Sequence, residues 1–112
     1  MRNTQLRELE FYRTQNGREP FTEWFESIRD KNVLNRIERR INRLESGNLG
    51  DCSPVGEGVF ELRLHFGPGY RIYFGEVANT VIVLLCGGDK SSQQRDIERA
   101  KTYWLEYKGT QR

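Results

Sequence analysis

Metal-ligating side chains are scarce in this sequence: Cys52 and Cys86 are its two cysteines and His65 its one histidine. That is too few, at the wrong spacing, for a structural zinc site, so no metal or other cofactor is expected and both thiols are expected to be reduced. Long apolar runs are also missing. Nothing approaches the ~18 residues that span a bilayer, and the start MRNTQLRELEFY carries charges where a secretory signal needs its hydrophobic stretch. A cytoplasmic chain with no membrane partner is expected. Repeats, low-complexity tracts and linkers are absent too, and 112 residues leave no room for a second domain. One domain is expected over residues 1–112, with 109–112 a frayed tail.

Lysine is scarce relative to arginine. Of 18 basic residues, 14 are Arg and 4 are Lys, and the planar guanidinium is the better group for bidentate phosphate contact and for stacking on bases. The net charge of +2 is too small to argue nucleic-acid binding by itself. A compositional bias of the genome would give the same surplus, so placement has to decide.

What is present divides into elements. Residues Leu6 to Tyr12 alternate as a half-buried strand would, with Leu9 and Phe11 on one side. In PFTEWFESIRD, Pro20 suits a first helical position, and Phe21, Trp24, Phe25 and Ile28 recur at helical spacing. From Lys31 to Ser46 the spacing of Val33, Leu34, Ile37, Ile41 and Leu44 predicts a second helix, basic on its other faces through Arg36, Arg39, Arg40 and Arg43. Residues 47–58 read as a Gly- and Pro-containing loop. Phe60, Leu62 and Leu64 then alternate with Glu61, Arg63 and His65, the turn Phe66-Gly67-Pro68-Gly69 follows, and Tyr70, Ile72 and Phe74 alternate with Arg71 and Tyr73. Thr80 to Cys86 is apolar on both faces, as a central strand is. Ser91, with Gln94 three residues later, reads as a capping box for a last helix whose buried stripe is Ile97, Ala100, Trp104 and Tyr107. The order β-α-α-β-β-β-α predicts an α+β domain with an antiparallel-dominated sheet and helices packed on one face.

If the turn places Leu64 opposite Tyr70, Arg63 stands opposite Arg71 on the solvent side of the hairpin. Like charges directly opposite are destabilising by up to roughly 1 kcal/mol. Either Glu61 or Glu57 neutralises the pair, or an anionic ligand does. Lys90, between the third of these strands and the last helix, sits where free backbone N–H groups attract anions. His65 is the side chain whose ordinary pKa lies near neutrality; it falls on the arginine face, as a proton carrier or as a structural residue beside a turn. Tyr73 on that face either stacks a base or covers the sheet.

The run ELRLHFGPGYRIYF, followed by LLCGGDK and a helix beginning SSQQRDIERAK, resembles the RelE/ParE toxin superfamily. It is most similar to the branch called addiction module killer proteins, related to the HigB toxins. The resemblance extends from about Glu10 to Lys108 and includes PFTEWF at the first helix. It implies a RelE-like fold and the toxin of a type II toxin–antitoxin system, an endoribonuclease (mRNA interferase) that cuts messenger RNA on the ribosome without metal. It also implies a cognate antitoxin resembling a helix-turn-helix DNA-binding protein. Arg71 matches the family's phosphate-stabilising arginine, and Arg63 and Lys90 match basic positions that hold the scissile phosphate or its neighbours. The expected catalytic set is therefore Arg71, Arg63, Lys90 and His65, and the expected RNA contacts are Arg63, Arg71, Tyr73, Lys90 and Arg95. The chain departs from the pattern at Glu61, where some relatives have another base, and near Asp96, where RelE uses a tyrosine. For acid–base work this leaves His65 first, Glu61 second, and Tyr103 or Tyr107 as remoter options. Two other outcomes stay open: a ParE-like inhibitor of DNA gyrase, and an RNA-binding module without catalysis.

Overall fold

Two helices, a five-stranded sheet and a closing helix are laid out along residues 6–110, the part of the chain that the computed structural model describes. In chain order these are β1 (Glu8–Phe11), α1 (Pro20–Ser27), α2 (Lys31–Glu45), β2 (Cys52–Gly56), β3 (Val59–Arg63), β4 (Arg71–Val77), β5 (Val81–Gly88), a 3-10 turn (Lys90–Ser92) and α3 (Gln93–Thr110). Pro20 opens α1, where its missing N–H has no helical partner to lose. Asp30 caps α2 by accepting from the N–H groups of Asn32 and Val33.

The strands lie in the order β1-β5-β4-β3-β2. β1 runs parallel to β5, and the other neighbours are antiparallel, so the sheet is mixed and antiparallel-dominated. β5 is an interior strand, as its two apolar faces require. β2 falls inside the segment read as a loop. Its sequence CSPVG hides the strand because Pro54 and Gly56 break the alternation. An edge strand accommodates both, since proline, which has no N–H to donate, loses no pairing on the strand's unpaired side, and the register shifts between Pro54 and Gly56.

The expectation of helices on one face is corrected: they cover both. Leu62, Ile72, Phe74, Ile82 and Leu84 pack with Phe21 of α1 and Ile37, Ile41 and Leu44 of α2. The alternate residues Val59, Tyr73, Val83 and Leu85 pack with Ala100 and Trp104 of α3. Burying both faces is the solution open to a sheet whose inner strands are apolar on each side. The last helix also starts differently from the Ser91–Gln94 reading. Asp89 is the cap, accepting from the Ser91 N–H at 2.8 Å, while the Ser92 hydroxyl accepts from the Asp89 N–H at 3.2 Å. Gly109 and Thr110 continue α3 where a frayed tail was expected; residues 1–5, 111 and 112 lie outside the described residues. Among the described residues no helix is long and apolar enough to cross a membrane.

Gly75 lets α3 come down onto the sheet. A Cβ there would meet the Trp104 ring at 2.6 Å, closer than packed atoms approach. Gly75→Ala is expected to lower stability by about 1–3 kcal/mol through overpacking. Urea unfolding would show this as a lower midpoint with an unchanged m value; an unchanged midpoint would mean that α3 sits less tightly than described.

Candidate functional site

The β3–β4 turn brings the expected residues together by setting the register. The Leu64 N–H donates to the Tyr70 carbonyl at 2.9 Å, and Arg63 pairs directly with Arg71. Within the turn, Gly69 has φ +79°, a conformation that L side chains rarely adopt, and a Cβ there would come to 3.4 Å from Arg71 Nη1 and Lys90 Cβ. The Lys90 N–H donates to the Pro68 carbonyl at 3.4 Å, which ties the β5–α3 junction to the hairpin tip. Arg63, Arg71 and Lys90 therefore come from three points of the chain to one end of the sheet.

The arginine pair is neutralised in part, and by Glu61. Glu57 lies elsewhere, toward Lys101. Glu61 is 1% exposed. Its Oε1 accepts from Arg63 Nε at 2.9 Å, and its Oε2 accepts from the Tyr73 hydroxyl at 2.9 Å and from Gln93 Nε2 at 2.8 Å. Arg71 Nε is 3.5 Å from Oε2, an ion-pair distance, and among the described residues that buried N–H has no hydrogen-bond partner. The Arg71 Nη1 donates to the Gly69 carbonyl at 3.0 Å. Burial by itself pushes the Glu61 carboxyl pKa up. The hydrogen bonds from Gln93, Arg63 and Tyr73, with the charge of Arg63, outweigh it and hold Glu61 below the usual carboxylate range. The same carboxylate keeps Tyr73 a neutral phenol: burial, the hydrogen bond to Glu61 and its charge all push that pKa far up.

Two expectations change here. Arg71 is buried rather than solvent-side, because it shares the face that α3 covers and its Nη1 turns back onto the Gly69 carbonyl. Tyr73 is fully buried beneath α3, so it covers the sheet and stacks no base. Arg95 is exposed beside Asp96 and lines a separate depression with Asp89, Arg99 and Tyr103. Tyr103 stacks on Tyr12, and Tyr107 stacks on Trp104 and donates to Glu10. Neither tyrosine reaches the arginines. The thiols are not activated either, since burial pushes Cys52 up to about 11 and Cys86 up to about 12.

The remaining expected residues do converge. A groove of about 410 Å³ is lined by Arg63, His65, Phe66, Tyr70, Arg71 and Lys90, among others. The Arg63 side chain is 45% exposed, with its Nε held on Glu61. His65 Nε2 pairs with the Asp51 carboxylate, and its Nδ1 has no side-chain partner among the described residues. Sequence pattern does not single out Asp51 and Gln93: Asp51 falls in the segment read as a loop, and Gln93 falls outside the buried stripe of the last helix. Their signal exists only once β2 and α3 are placed against β3.

An uncharacterized protein of Haemophilus influenzae is 43% identical over 81 residues, which cover 72% of this chain and 82% of the relative. No family model matches the chain.

Removing the Glu61 charge tests its place in the site. Glu61→Gln leaves Arg63 and Arg71 facing each other unneutralised and is expected to cost about 3–5 kcal/mol at pH 7, as for a broken buried pair. Because the folded pKa of Glu61 is depressed, its contribution is complete above the unfolded value of ~4.3 and is lost as pH falls through the folded value. Urea unfolding of the wild type should therefore lose more stability between pH 7 and pH 3 than the variant does. Equal losses would remove Glu61 from this role.

Proposed function

The chain belongs to the same family as the uncharacterized Haemophilus influenzae protein, and we propose that it is the toxin of a type II toxin–antitoxin pair: a RelE-like, metal-independent endoribonuclease that cuts messenger RNA on the ribosome. The observation that carries this reading is the convergence of Arg63, Arg71, Lys90 and His65 on one groove. Glu61 offsets one of the three fixed positive charges. The surplus suits an anion.

RNA cleavage of this kind needs three things from the protein. The 2′-hydroxyl loses its proton and attacks the adjacent phosphorus; the P–O5′ bond breaks; the 5′ oxygen gains a proton, leaving a 2′,3′-cyclic phosphate and a 5′-hydroxyl. Arg63 and Arg71 face the non-bridging oxygens, where charge builds up in the transition state. Lys90 stands beside them for the leaving oxygen or the neighbouring phosphate. His65, oriented by Asp51, carries the proton. Glu61 is buried and held ionised, so it positions the guanidiniums and is not the base. The cognate antitoxin, a helix-turn-helix protein in this reading, silences the toxin in the cytoplasm by covering this cationic groove.

Purified chain added to ribosomes programmed with message, in the magnesium that keeps them assembled, is expected to yield fragments ending in 2′,3′-cyclic phosphate, the product of 2′-hydroxyl attack. His65→Ala changes an exposed residue, so the fold should persist, whereas Arg63→Ala also takes the donor from Glu61 Oε1 and is read only after its folding is confirmed by urea unfolding; each is expected to slow cleavage by about 10²–10³-fold. Gyrase inhibition with intact message would replace this reading by the ParE-like one. Binding of message without any cut would leave an RNA-binding module.

A further inference from the structure

A second groove, of about 380 Å³, opens beside the first. It is lined by Arg36, Arg39, Arg40 and Arg43 of α2, with Asp51, and it shares Arg63, Leu64, His65 and Phe66 with the cleavage groove. At 3.6 residues per turn the four α2 arginines occupy an arc of roughly 100°. The helix's two carboxylates, Glu38 and Glu45, fall on the opposite side, and Glu38 lines a different, apolar groove with Phe11 and Phe25. Charge is therefore sorted across α2. The sorting runs against helix stability, because like charges at i, i+3 and i, i+4 repel by about 0.2–0.5 kcal/mol per pair.

Asp51 is the one carboxylate among the lining residues, and it is already paired with His65. Arg36 lies over the Phe66 ring, 3.8 Å from its centroid. That stack holds one guanidinium plane at the boundary between the two grooves, and a stacked guanidinium offers its outer face to a base. Arginine in place of lysine, continuity with the cleavage groove and the stacked plane together fit a phosphate-bearing strand better than an acidic protein.

We propose that the α2 groove is a backbone track for single-stranded RNA, holding the phosphates of nucleotides adjacent to the cleaved one. The inference rests on the RNA reading of the first groove, but its test needs no cleavage. Each phosphate held by a cation releases counterions, so the logarithm of the binding constant falls with the logarithm of salt concentration at a slope of about −0.7 per contact for single strands. Arg40 is half-buried, with its guanidinium close to Gly50; Arg39 and Arg43 are exposed and can be removed without touching the fold.

The experiment is a salt series of binding titrations with fluorescently labelled 2′-O-methyl RNA twelve-mers, which cannot be cut, and in parallel with 30S ribosomal subunits free of message. The full chain is compared with the Arg39→Ala/Arg43→Ala variant. A slope shallower by about 1.4 in the variant, which is two contacts, is expected on the free strand. The same change confined to the ribosomal subunits would keep the track and make ribosomal RNA its occupant. Unchanged slopes in both arms would overturn the proposal, including the case in which the variant instead loses affinity for an acidic protein partner. Because binding is read without cleavage, an inactive chain with a shallower variant slope would count against the ribonuclease reading and not against the track.

Discussion

A single buried carboxylate holds this site together. Glu61 lies in β3, takes Arg63 from its own strand, faces Arg71 and Tyr73 on β4, and receives Gln93 from the first turn of α3. Without it the directly paired Arg63 and Arg71 would repel across the β3–β4 hairpin. Burying a charge is costly, and the cost is offset here because the carboxylate's oxygens accept three hydrogen bonds beside a second cation. The same interaction thus fixes the direction of two guanidiniums and docks a helix.

That docking explains why the site is where it is. α3 covers the face bearing Val59, Tyr73 and Val83, and the hairpin tip meets the junction that precedes the helix. The exposed end of the sheet is left to Arg63, His65 and Lys90, with the hydrogen bond from the Lys90 N–H to the Pro68 carbonyl keeping the junction and the tip in one place. α2 approaches the same end from the other face of the sheet, with Arg36 packed over Phe66. Cations from the hairpin, the β5–α3 junction and α2 are thereby gathered around His65 and its partner Asp51.

Much of this was legible in the sequence, where local pattern carries the information. Alternation located β3 and β4, and the turn chemistry of FGPG gave the register that pairs Arg63 with Arg71. Helical spacing gave all three helices. Other features failed for physical reasons. β2 carries proline and glycine, which an edge strand tolerates and a pattern search rejects. The second covered face was implied by the two apolar faces of β5 but was not drawn from them, and that omission put Tyr73 and Arg71 in solvent. The Glu61 network joins residues 32 positions apart in sequence, and no local spacing reports such a contact. The arginines of α2 were visible as a basic face, yet their meeting with Arg63 and His65 depends on how the hairpin folds back.

The central claim is that this cationic end of the sheet cleaves translated RNA. The most direct test is transcript-end mapping in cells after brief induction of the wild-type chain, with a His65→Ala/Lys90→Ala variant, altered at two exposed residues, run in parallel. New ends inside translated messages, absent with the variant, are the expected result. Intact messages alongside arrested growth, or the same ends with the variant, would contradict it.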